Sequence, residues 1–127
     1  MIVVDTSVWI AALRGPGGTE AGILRGLLDA DEVALPVPVR SELLMGVSGA
    51  TRKQLGERLE ALTVLYPTDE TWRTLDAWTE RASRSGHTFS LVDLTVGILA
   101  SAVGALVWSL DKDFERMEKL KLLHLYR

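Results

Sequence analysis

The sequence predicts an α/β fold: a central parallel sheet of four to five strands with helices on both faces. Three observations carry that expectation. Short β-branched or apolar runs alternate along the chain with longer stretches of helical periodicity. The runs are apolar throughout, as strands buried on both faces are. The chain has 127 residues, of which 47% are hydrophobic and 24% charged, enough for one domain with a real core and too apolar for disorder.

Ile2-Val3-Val4 is the first strand and ends at Asp5. Thr6 or Ser7 is placed to cap a helix from about Val8 to Leu13, stopped by Gly15-Pro16. A second helix covers Thr19 to Leu28. Glu32 to Leu35 is the second strand, and Pro36 and Pro38 then exclude helix until about Val39. Arg40 to Val47 is helical, weakened and ended by Gly46 and Gly49. Thr51 opens a helix to about Leu62, and Thr63 to Tyr66 is a strand closed by Pro67. Thr68 or Asp69 caps a long helix to about Ser85, with Trp72, Leu75, Trp78 and Ala82 near one face. Beyond Gly86, a helix spans Ser90 to Val103, a fourth strand Leu106 to Leu110, and a short helix Lys112 to Met117. Leu122 to Tyr126 is the candidate fifth strand. No linker, repeat or low-complexity segment divides the chain, so residues 1–127 are read as a single domain.

Composition excludes several classes of function. With no cysteine, there are no disulfides, thiolate metal sites or cysteine nucleophiles, and a cytoplasmic setting is expected. The start carries no basic n-region, and Asp5 interrupts the apolar run too early for a secretory signal. Leu94 to Leu110 is an uncharged stretch of 17 residues, but Gly97, Ser101 and Gly104 dilute it. A buried helix, a glycine stop and a strand explain it better than a membrane span. The net charge of −3 argues against nucleic-acid binding by phosphate neutralisation alone, unless a metal supplies positive charge locally.

The informative residues are acids in apolar company. Asp5 follows a buried run, Glu42 sits before Leu43-Leu44, Asp93 lies between Val92 and Leu94, and Asp111 and Asp113 follow Trp108-Ser109-Leu110. Ionised carboxylates in such surroundings are costly unless paired, hydrogen-bonded or metal-bound. Asp5 and Asp111 each end a strand, where a turn or capping role would suffice for either alone. Glu42 taken alone reads as a solvated helix acid. Asp93 shares a helix face with Gly97, Ala100 and Gly104, a face without bulk on which another backbone is expected to approach closely. The remaining acids lie in polar settings. In a parallel sheet, ligands bind beyond the carboxyl ends of the strands, where Asp5 and Asp111 fall.

Other chemistries are poorly served. His87 and His124 lack metal-ligand spacing, and Ser7, Ser90 and Ser109 have no evident histidine partner for a triad. No phosphate-binding glycine loop occurs. An all-carboxylate site remains, which selects Mg²⁺ or Mn²⁺ over zinc and suits phosphodiester chemistry.

Val3 to Ile10, Pro38 to Gly46, Asp93 in its helix and Trp108 to Phe114 together resemble the PIN domain, and more narrowly the VapC-type toxins of toxin–antitoxin pairs. The resemblance spans essentially the whole chain. It implies a PIN-like three-layer α/β/α fold, a homodimer, and Mg²⁺- or Mn²⁺-dependent endonucleolytic cleavage of RNA to 5′-phosphate and 3′-hydroxyl ends. On this likeness Asp5, Glu42 and Asp93 match the family's metal-binding acids. Asp111 is the first choice for the fourth and Asp113 the second. Ser7 matches a supporting hydroxyl, and Arg14, Arg40, Arg52 and Lys53 are candidate RNA contacts. A VapB-like antitoxin is the implied protein partner, wrapping a groove and presenting a basic side chain to the acids. Trp72 and Trp78 belong to the core or to a partner surface. Two alternatives stand beside this reading: an inert PIN-like binding module, and a phosphatase that phosphorylates Asp5, although the second Asp expected two residues on is Ser7.

Overall fold

A computed structural model describes residues 1–127. Its elements run β1 (Ile2–Val4), α1 (Thr6–Arg14), α2 (Thr19–Asp29), β2 (Val33–Pro36), α3 (Val37–Met45), α4 (Gly49–Leu59), β3 (Thr63–Leu65), α5 (Asp69–Arg84), α6 (Leu91–Ala102), β4 (Leu106–Trp108) and α7 (Lys112–Lys119). The four strands form one parallel sheet in the order β3-β2-β1-β4. Successive side chains of a strand face opposite sides. Every residue of β1 and β2 is buried, so both faces of the sheet centre are covered by helices. Helix α3 packs on β2 and α6, α1 packs on α2, and α5 packs on α6. The fully buried side chains Val3, Val4, Val8, Leu35, Val39, Val96, Val107, Phe114 and Met117 tie sheet and helices into one core.

The expected fifth strand is reduced to a single parallel bridge between Val107 and Leu125. Val107 N donates to the His124 carbonyl at 2.9 Å, and Tyr126 N donates to the Val107 carbonyl at 2.8 Å. The ladder does not extend upstream because Lys121 turns the chain with φ 62° and Leu122 and Leu123 both drop into the core. Leu125 N, on the side away from β4, donates to the Glu118 carboxylate at 2.7 Å.

Three local expectations need correction. Asp5, rather than Thr6 or Ser7, is the N-cap of α1. Helix α3 begins at Val37, with Pro38 inside its first turn, where a missing N–H breaks no helical bond. Gly104 lies beyond the end of α6, turning the chain with φ 68° into β4. The small face of α6 therefore stops short of it. At Gly97 the close neighbours are side chains, not backbone: a Cβ there would lie 3.0 Å from both Leu123 Cδ2 and Trp78 Cζ3. The uncharged run from Leu94 is thus divided between helix, turn and strand, and no helix is long and apolar enough to cross a membrane.

Candidate active site

From β1 the chain steps outward to β2 and then β3, whereas β4 lies on the other side of β1. The direction of winding reverses between β1 and β4, which opens a crevice at their carboxyl ends. Asp5 leaves β1 at that point, its N–H donating to the Trp108 carbonyl at 2.9 Å. Ser109, Leu110 and Asp111 leave β4 beside it.

Asp5 is 6% exposed, and its charge is compensated by donors. Its Oδ2 accepts from Ser7 Oγ and from Ser109 Oγ, each at 2.8 Å, and more distantly from Ser7 N at 3.5 Å. Helices α1, α6 and α7 all begin at this crevice. Their caps are Asp5, Ser90 and Asp111, and each cap accepts a first-turn N–H. Helix N-termini carry partial positive charge, so several carboxylates are tolerated where they converge.

Asp93, in the first turn of α6, comes together with Asp111 and Asp113: one carboxylate oxygen from each lies within 4.8 Å of the others. Asp93 is half-buried, and burial is the main cause of a pKa raised from the ordinary 3.8 to about 6. The charges of Asp5, Asp111 and Asp113 push it further in that direction, against the hydrogen bond from Ser90. Asp113 Oδ1 also accepts from Arg116 at 2.7 Å, while Asp111 Oδ1 accepts the Asp113 N–H at 2.9 Å. Each of these two acids therefore keeps a second oxygen outside those bonds.

Glu42 stands outside this cluster. Its Oε1 accepts from Thr6 Oγ1 at 2.8 Å, which ties α3 to the start of α1 next to Asp5. It also lines a groove of about 240 Å³ with Arg14, Ile10, Leu13 and Val47. Arg14 is exposed there and Arg40 is half-buried on α3. Arg52 is committed to structure: it donates to the Leu44 and Val47 carbonyls at 2.7 to 3.0 Å and closes the end of α3. Lys53 is exposed on α4. His87 stacks on Phe89 with ring centroids 5.7 Å apart, and His124 is exposed; neither joins the acids. Trp78 packs on the core, whereas Trp72 is 46% exposed.

Ser109, Thr6 and Arg116 escaped sequence reasoning as members of this site. The available signal was positional, since a hydroxyl next to a strand-ending acid is placed to hold it. The donor set consists of carboxylate oxygens without sulfur or imidazole. It fits a hard divalent cation such as Mg²⁺ or Mn²⁺.

Residues 2–120 match the family model described as PIN domain, and with this fold and these acids in place the chain belongs to the PIN-domain family. Within that family it is of the VapC type. It is 30% identical over 127 residues to Ribonuclease VapC11 of Mycobacterium tuberculosis, covering 94% of this chain and 93% of that protein. Among solved structures it is similar to VapBC2 from Rickettsia felis bound to a promoter DNA fragment, with a TM-score of 0.77 at 18% identity over 99% of this chain and 98% of that one. It is likewise similar to VapBC-1 from nontypeable Haemophilus influenzae, with a TM-score of 0.77 at 19% identity over 99% and 97% of the two chains.

Proposed function

We propose that the chain is a metal-dependent endoribonuclease, the toxin of a VapBC-type pair acting in the cytoplasm. The observation that carries this reading is the convergence of Asp93, Asp111 and Asp113 within 4.8 Å, at the crevice where buried Asp5 ends β1. Asp5 and Asp111 also cap helices and Asp113 pairs with Arg116, but Asp93 has no cationic partner, and together the four repel an RNA phosphate unless a cation lies between. Mg²⁺ or Mn²⁺ bound there supplies that charge and lowers the pKa of a coordinated water.

The residues divide the work. Asp5 offers the oxygen left free by its serine donors. Asp93 would hold the cation as a carboxylate, which requires loss of the proton that burial lets it keep up to about pH 6. Asp111 takes precedence over Asp113, because the latter shares its charge with Arg116. Glu42 and Ser7 support the rim and floor of the site, and Arg14 and Arg40 are assigned to RNA phosphates. An antitoxin resembling the VapB component of the related complexes fits the groove beside Glu42. Ile10 and Leu13 offer it apolar surface, and Glu42 a counter-charge for a basic side chain. A homodimer completes the assembly.

The test is incubation of the purified protein with a panel of structured RNAs, with and without Mg²⁺ or Mn²⁺, followed by end-mapping. Metal-dependent cuts with 5′-phosphate and 3′-hydroxyl ends are expected. Asp5→Asn and Asp93→Asn each abolish them while circular dichroism stays that of the wild type. Cleavage retained in both variants overturns the assignment, and tight metal binding without cleavage of any RNA favours an inert binding module.

A further inference from the structure

The two serines at the crevice admit one arrangement of protons. Leu110 N donates to Ser7 Oγ at 3.0 Å and Asp111 N donates to Ser109 Oγ at 2.9 Å, since an amide N–H is only a donor. Each hydroxyl then has its single proton left to give. Both oxygens lie 2.8 Å from Asp5 Oδ2, and their mutual distance is a longer 3.3 Å. The carboxylate receives both protons, and the serines do not bond to each other. Asp5 Oδ2 is thereby filled by protein donors, while no protein donor reaches Oδ1.

Ser109 does more than Ser7 in this arrangement. It ties the acid at the end of β1 directly to the backbone of Asp111, whose side chain caps α7 and belongs to the three-acid cluster. We infer that Ser109 is the positioning residue of the metal site, turning Asp5 so that Oδ1 alone faces the cation and setting Asp111 in register with it. The inference rests on the metal-dependent reading above and assigns a role to a residue outside its set of acids. The physical basis is that donors behind a ligating carboxylate fix its orientation and share in its metal affinity.

The test compares Ser109→Ala and Ser109→Thr with the wild type by Mn²⁺ titration, read by electron paramagnetic resonance of the free ion. Amide hydrogen exchange at Leu110 and Asp111 is followed in the metal-free proteins, together with melting temperature. Ser109→Ala is expected to weaken Mn²⁺ binding about 10- to 100-fold. It also speeds exchange at Asp111, while Ser109→Thr restores both. Wild-type affinity in Ser109→Ala overturns the role of Ser109 and leaves the metal reading standing. Equal losses in the Ala and Thr variants, accompanied by a fall in melting temperature, overturn it in favour of packing. A wild-type protein that binds no Mn²⁺ overturns the metal reading and this inference together.

Discussion

Asp93 is the residue at which the fold works against itself. In the metal-free protein its raised pKa, caused by burial and then by the charges of Asp5, Asp111 and Asp113, means that the folded state holds a proton the unfolded chain has released. Between the ordinary 3.8 and about 6, stability therefore falls as pH rises, and above that window the full penalty remains. Asp93→Asn removes the charge and keeps the shape. In EDTA at pH 7.5 the variant is expected to melt above the wild type, with the difference vanishing below about pH 4, as thermal melts across that range would show. A variant that melts lower at pH 7.5 would mean the carboxylate is paired rather than strained. Sequence reading reached this acid through its apolar neighbours. No backbone presses against the small face of its helix, because Leu123 and Trp78 side chains occupy that space at Gly97. Burial made Asp93 conspicuous, whichever atoms surround it.

Among the elements, α6 shows how packing decides what periodicity leaves open. It is buried along Leu94–Ala100, and its glycine is the point where α5 and the C-terminal segment close over it through Trp78 and Leu123. Gly97→Val places methyl groups where both side chains already stand. It is expected to destabilise the protein by about 1–3 kcal/mol in urea unfolding, as overpacked cores do. A stability change near zero would show that Trp78 and Leu123 move aside freely. The same logic separates legible from illegible boundaries. Gly15, Gly86 and Pro67 marked the ends of elements correctly, because backbone restrictions act locally. The start of α3 was not legible, because Pro38 is forbidden inside a helix yet harmless in its first turn, and only the strand before it decides which applies. The fifth strand failed for a tertiary reason, because Lys121 turns the chain and Leu122 and Leu123 are drawn into the core before the segment reaches β4.

For the whole molecule, charge sets the terms of binding. A chain of net charge −3 with its acids gathered at one crevice is expected to hold RNA weakly in EDTA and more tightly with Mn²⁺. Fluorescence anisotropy with a non-cleavable RNA at fixed ionic strength measures this, and equal affinity in both buffers would remove the cation from the binding step. By itself the sequence determined the alternation of strands and helices, the buried sheet centre and the acid that ends β1. Each of these follows from local pattern and from the cost of charge in apolar surroundings. By contrast, β4 stops at Trp108 and leaves Asp111 three residues on, as the cap of α7. Tertiary structure decided the rest. Strand order put β1 beside β4, and that pairing brought Asp5 within reach of Ser109, 104 residues away. It placed Asp113 in the cluster together with Asp111 and left Glu42 outside on a tether from Thr6. Hydrogen bonds and Coulomb forces act over a few ångströms of space and are indifferent to distance along the chain. The acids could therefore be read from the sequence one by one, but the site that joins them could not.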